Sequence, residues 1–134
     1  MAELFSFELI SPERRVLAAD VQQVLIPGAE GDFCVLPGHA RVMSLIRPGI
    51  LEVTTHAGKL KKYYIRGHFA EVEPKNLMVL AQQCINVDEL DKNHLLQEIR
   101  NLEEDVADAA DEEQRTKAQF ALDRLKELKN ALEL

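Results

Sequence analysis

Apolar positions in the first two-thirds of the chain recur at every second residue. Phe5, Phe7 and Leu9 share one side, with Ser6 and Glu8 between them, until Ser11-Pro12 interrupts the alternation. Val21 to Ile26 is a second short strand closed by Pro27-Gly28, and Phe33 and Val35 alternate before Pro37-Gly38. Pro48-Gly49 introduces Ile50 to Thr55, and Ala57-Gly58 sends the chain back as Leu60 to Arg66. Phe69 to Glu73 and Leu77 to Ala81 form a last pair around Pro74-Lys75-Asn76. Strands with one apolar face must bury it against a second layer, so residues 1–86 are expected to fold as an all-β antiparallel sandwich.

From residue 87 the period changes. Leu95, Ile99, Leu102, Val106 and Ala109 lie on one stripe of a helix, and Ala118, Ala121, Leu125, Leu128 and Leu132 lie on another. Asp111 followed by Gln114 has the pattern of a helix-starting capping box, which puts a break near Ala109–Asp111. Residues 87–134 are therefore expected to form an antiparallel α-helical hairpin with two arms of roughly 20 residues, each ~30 Å long. The break holds neither Gly nor Pro, so one long helix is the alternative conformation.

Composition supports the same boundary. All 6 Gly and all 5 Pro precede residue 75. Residues 1–87 hold 9 acidic and 9 basic side chains, whereas residues 88–134 hold 14 acidic and 7 basic, which accounts for the net charge of −7. In the tail, residues 88–113 are net −9 and residues 114–134 net +2. An antiparallel pair would set Glu98, Glu103 and Asp105 against Arg115, Lys117, Arg124, Lys126 and Lys129, choosing the register while the apolar seam holds the arms together.

Several classes of function are disfavoured. Nucleic-acid binding lacks a basic surface. The chain has no apolar run long enough for a membrane span, and it starts with neither a signal nor a transit peptide. Gly28-Ala29-Glu30-Gly31-Asp32 is not followed by the Lys and hydroxyl of a phosphate cradle. His39, His56, His68 and His94 show no paired-ligand spacing, so no metal is expected. Cys34 and Cys84 read as free thiols, with Cys34 a small buried hydrophobe. No catalytic constellation is present and no cofactor is expected. The charged loops Glu30 to Asp32 and His39 to Arg41, thrown out by Pro-Gly turns, are the candidate docking surface.

Leu9-Ile10-Ser11-Pro12-Glu13, Pro27-Gly28-Ala29-Glu30-Gly31-Asp32-Phe33, Leu36-Pro37-Gly38-His39-Ala40, Arg47-Pro48-Gly49-Ile50-Leu51, Gly67-His68-Phe69-Ala70-Glu71-Val72 and Val79-Leu80-Ala81 resemble the epsilon subunits of bacterial rotary (F-type) ATP synthases, in the family's order. The resemblance implies a sandwich of about ten short strands and a helical hairpin. It implies a non-catalytic rotor subunit coupling the gamma subunit to the c ring on the cytoplasmic face of the bacterial inner membrane. Glu30, Asp32, His39 and Arg41 would face the c ring. In some relatives the tail opens among the alpha and beta subunits and restrains ATP hydrolysis, a contact for which Arg115, Lys117, Arg124, Lys126 and Lys129 are the candidates. Departures include Cys34 for Gly, Arg41 for Pro, Gly67-His68 for Gly-Gly and Gln82 for Asp. Some relatives also bind ATP through an Asp-x-x-Arg pattern at the start of the first helix. Here Asp88 matches and Asp91 replaces the Arg, so weak or absent ATP sensing is expected. The alternative from another class is a free-standing ligand-sensing sandwich whose hairpin responds to a nucleotide.

Overall fold

Strand β1 (Phe5–Ile10) turns through Ser11, whose N–H and carbonyl exchange hydrogen bonds with Arg14, into β2 (Arg15–Gly28). The computed structural model describes residues 3–133. It continues through β3 (Gly31–Val35), β4 (Val42–Leu45), β5 (Gly49–Thr55), β6 (Leu60–Val72) and β7 (Asn76–Asn86). A 3₁₀ turn at Val87–Glu89 precedes helices α1 (Lys92–Ala107) and α2 (Glu112–Ala131). Two units result, Met1–Asp88 and Glu89–Leu134.

The first unit is the expected sandwich, with seven strands in place of about ten. The difference has a physical cause. β2, β6 and β7 each pass through a bulge without losing their pairing: the register skips Gln22 in β2, His68 in β6 and Gln82 in β7. A bulge bends a strand and raises its twist, so one strand can serve both layers. Counting the two halves of these three strands separately recovers the larger number. The Gly67-His68 break expected between two strands is thus a bend inside β6. Pro27-Gly28, expected to end a strand, likewise lies within β2, where Pro27 pairs with Asp32 and Gly28 with Gly31. β4 and the first half of β2 carry no clean alternation and were not expected as strands.

Pairing runs β1-β7-β6-β5-β2 and closes through β1 with β2, while β3 extends β2 and β4 lies on β6. β1 and β7 are parallel, the one departure from an antiparallel sandwich. Phe7, Leu9, Val21, Val24, Ile26, Leu51, Val53, Ile65 and Val79 are fully buried in its core. The period-two faces therefore point where the alternation put them.

In the second unit the arms break where expected. Asp111 has extended backbone and accepts from the Gln114 N–H at 2.8 Å, while the Gln114 side-chain carbonyl accepts from the Ala110 N–H at 3.2 Å. The seam is unequal along its length. Leu95, Ile99, Leu122 and Leu128 are buried, whereas Leu102, Val106, Ala118 and Ala121 are only half-buried. An open depression of about 460 Å³, lined by Leu102, Ala109, Ala118 and Ala121 with Asp105 and Lys117, lies toward the turn end. The expected matching of rim charges is modified. Glu98 takes His94 of its own helix at 3.0 Å, and Arg115 takes Glu112 of its own helix at 3.4 Å.

Candidate docking site

The two-residue connection Ala29-Glu30 between the paired Gly28 and Gly31 places Glu30 at a hairpin tip. Gly31 has φ +138°, a backbone conformation open to glycine. At Gly28 a Cβ would lie 2.7 Å from the Gly31 carbonyl and 2.9 Å from the Phe33 ring, so the tightness of this hairpin requires glycine there. The far end of β3 leads into Pro37-Gly38. Gly38 has φ +83° and donates its N–H to Pro74 at 2.8 Å, and the His39 N–H closes the turn onto Leu36 at 3.1 Å. The His39 ring bonds the Ala40 carbonyl through Nδ1 at 2.7 Å.

β4 runs back beside this hairpin, and the two are joined at one end. The Ala29 N–H donates to Leu45 at 2.8 Å, Gly28 bridges Ile46, and the Arg47 N–H donates to Pro27 at 3.0 Å. Beyond that junction β3 and β4 separate around a groove of about 600 Å³. Glu30, Asp32 and His39 line it with Met43 and Leu45, so the structure brings three of the four expected docking residues together. Arg41 is exposed but lies outside the lining.

Two features were not anticipated. Met43 and Leu45 are 65% and 68% exposed, and with Val42 they put an apolar lining on the β4 side of the groove in a charged protein. The signal was present in Val42-Met43-Ser44-Leu45 but was hidden because an edge strand solvated on both sides does not alternate. The second feature is an ion pair between Asp32 and Arg47, which spans the junction. Arg47 entered the sequence reading only as part of the Arg47-Pro48-Gly49-Ile50-Leu51 match.

The tail residues do not form one patch. At ~100° per residue, Lys117 and Arg124 fall on one side of α2, and Arg115, Lys126 and Lys129 on another. Arg124 lies over the Phe120 ring, 4.2 Å from its centroid, and Phe120 is 58% exposed. Asp91 caps α1, accepting from the N–H groups of Asn93 at 3.0 Å and His94 at 3.1 Å. A carboxylate thus satisfies the N–H groups at this helix end.

The thiols differ. Cys34 is exposed, contrary to the buried position expected, because its neighbours Phe33 and Val35 take the inward positions of β3. Cys84 packs against the core, and burial pushes its pKa up to about 11, partly offset by the nearby Arg14 guanidinium. Among the described residues no cluster of three metal-ligating side chains occurs.

A family model described as the ATP synthase delta/epsilon chain β-sandwich domain matches residues 4–87. The chain is 44% identical over 132 residues to the ATP synthase epsilon chain of Parvibaculum lavamentivorans, covering 98% of this chain and 100% of that one. It is 41% identical to that of Mesorhizobium japonicum, covering 98% of each. It is 47% identical over 118 residues to that of Maricaulis maris, covering 88% of each. Among solved structures, a chain of the Euglena gracilis mitochondrial ATP synthase OSCP/F1/c-ring assembly superposes with a TM-score of 0.75 at 27% identity, over 96% of this chain and 81% of that one. A chain of the Tetrahymena thermophila mitochondrial ATP synthase central stalk and c ring shares the fold, with a TM-score of 0.59 at 13% identity, over 97% and 98% of the two chains.

Proposed function

We propose a function from the premise that the chain belongs to the ATP synthase delta/epsilon family: it is the epsilon subunit, a non-catalytic part of the central stalk that couples the gamma subunit to the c ring during ATP synthesis. Likeness to epsilon chains over 98% of the sequence carries this reading, because it spans sandwich and hairpin together. The architecture suits the task. A coupling piece must transmit torque without its layers sliding, and here β2, β6 and β7 run through their bulges as continuous, paired backbone. Shear between the layers would have to stretch covalent chain as well as break hydrogen bonds.

The groove and its rim supply the docking surface. Glu30, Asp32, His39 and Arg41 face the polar loops of the c ring, and the exposed apolar group on β4 is covered by the gamma subunit. Burying each such side chain contributes about 1.5–3 kcal/mol. The subunit is held peripherally on the cytoplasmic face of the bacterial inner membrane through these partners. No described helix is long and apolar enough to cross a membrane.

The tail restrains ATP hydrolysis when the hairpin opens and α2 meets an acidic surface of the alpha and beta subunits. The +2 net charge of residues 114–134 supports this, as does the exposed Phe120.

Cross-linking tests the placement. In a Cys34→Ser background, Glu30→Cys and Met43→Cys introduced into the assembled enzyme are expected to capture the c subunit and the gamma subunit respectively. Capture of neither would remove this reading. For the tail, deletion of residues 88–134 is expected to raise ATP hydrolysis by the assembled enzyme, and an unchanged rate would leave it a structural role.

A further inference from the structure

The hairpin joining β5 to β6 stands at the far end of β5 from the groove, roughly 23 Å away at ~3.3 Å per residue. Three of the 9 basic side chains of residues 1–87 fall in it, at Lys59, Lys61 and Lys62, and residues 56–62 contain no acid. All of residues 56–62 are exposed, Leu60 at 52%. β7 ends at Asn86, opposite Tyr63, so Leu60 to Lys62 run on past it as a ribbon paired to β5 alone. The tip of this ribbon is firmly held. The Thr55 N–H donates to the Lys59 carbonyl and the Gly58 N–H to the Thr55 carbonyl, both at 2.9 Å, and the Lys59 N–H donates to Thr55 Oγ1 at 3.2 Å. Gln22 on β2 anchors the turn through the His56 carbonyl at 3.2 Å. Lys62 is paired with Glu52 at 3.6 Å, whereas Lys59 and Lys61 have no ion pair among the described residues.

We propose that this ribbon is a second docking surface, and that it fits a cleft on another polypeptide lined by Asp and Glu side chains with an apolar wall. Alternation puts Lys59 and Lys61 on one face of the strand and Leu60 on the other. A cleft that takes the ribbon therefore meets two ammonium groups on one side and a leucine on the opposite side. A phosphate ligand suits the site poorly. The Gly58 and Lys59 N–H groups that would cradle it are used within the turn, and the ribbon carries no arginine fork. An anionic membrane surface would also meet the rest of the chain, whose net charge is −7. A narrow cleft meets the ribbon alone, within a screening length of ~8 Å. The inference goes beyond the groove at the other end and does not depend on which partner fills it.

The test uses the full chain and stalk complexes depleted of it, with association and dissociation followed at low and high salt. Lys59→Gln with Lys61→Gln is expected to leave the urea midpoint unchanged and to slow association ~3- to 10-fold at low salt, the difference fading at high salt. Lys59→Arg with Lys61→Arg should associate as the parent does. Leu60→Ser should speed dissociation ~3- to 10-fold at either salt concentration. Unaltered association of the Gln pair would overturn the inference, and so would an equal loss at both salt concentrations, which marks packing and not charge. Vesicles of phosphatidylcholine and phosphatidylserine should not retain the chain; retention that the Gln pair abolishes would assign the ribbon to a membrane instead. Stalk complexes that rebind neither parent nor variants would overturn the stalk reading and this inference together.

Discussion

Gly67 on β6 is packed directly against Ile46, the residue that bridges Gly28 at the head of the groove. A Cβ built at Gly67 would lie 2.5 Å from Ile46 Cβ, 2.7 Å from its Cγ2 and 2.8 Å from its carbonyl oxygen. Ordinary carbon contacts are about 3.5–4.0 Å, so Gly67→Ala creates an overlap of roughly an ångström with both backbone and side chain. Rotation of Ile46 about χ1 moves Cγ2 but neither of the other two atoms, so the strands themselves must separate. Gly67 does not use a left-handed backbone conformation, hence the cost is steric alone. Over-packing of this kind costs about 1–3 kcal/mol, set against ~0.4–1 kcal/mol gained from a less flexible unfolded chain. The net expectation is a loss of about 1–2 kcal/mol. The chain has no Trp, and both its Tyr residues lie in β6, so tyrosine fluorescence during urea unfolding reports on that strand. Gly67→Ala should lower the urea midpoint, and adding Ile46→Ala should not restore it, because the Cβ and carbonyl contacts persist. A variant as stable as the parent would refute the packing argument and, with it, the reason a glycine stands at this bend.

Four further predictions concern the caps and thiols. Asp111→Ala removes the hydrogen bond to Gln114 and should cost the hairpin about 1 kcal/mol, seen as faster amide exchange in the first turn of α2; unchanged exchange would mean the break is held otherwise. Because the folded chain keeps the Cys84 proton from pH 9 up to about 11 while the unfolded chain releases it, stability is fully present below pH 9 and declines as the pH rises through that window. Cys84→Ala should flatten this decline, and a thiol reagent at neutral pH should modify the exposed Cys34 well before Cys84. Because Asp91 caps α1 with its carboxylate, titration with millimolar ATP should show no saturable binding by calorimetry, and a saturable isotherm would contradict the reading of that helix end.

The sequence made much of this structure readable, for identifiable reasons. Phe5, Phe7, Leu9 and Leu51, Val53 alternate because each strand has one dry face, and all five are buried. The hairpin break was readable because Asp111 and Gln114 are local partners. What escaped were the non-local features. The bulges at Gln22, His68 and Gln82 depend on which strands pair, and the strands expected at Leu60 to Arg66 and Phe69 to Glu73 are one strand bent at His68. Cys34 was misplaced because a small thiol is usually buried, while its place in the alternation pointed outward. At the candidate docking site the loops were legible from their Pro-Gly turns, but the tie of Asp32 to Arg47, 15 residues apart, required the β3–β4 junction to be seen.

The central claim is that this subunit couples the rotor without performing bond chemistry. Its most direct measurement is proton-driven ATP synthesis by membranes stripped of the subunit and then reconstituted with the purified chain. Synthesis should collapse on removal and return on re-addition, while the chain alone turns over no ATP. Full synthesis by the stripped membranes, or ATP turnover by the isolated chain, would contradict it.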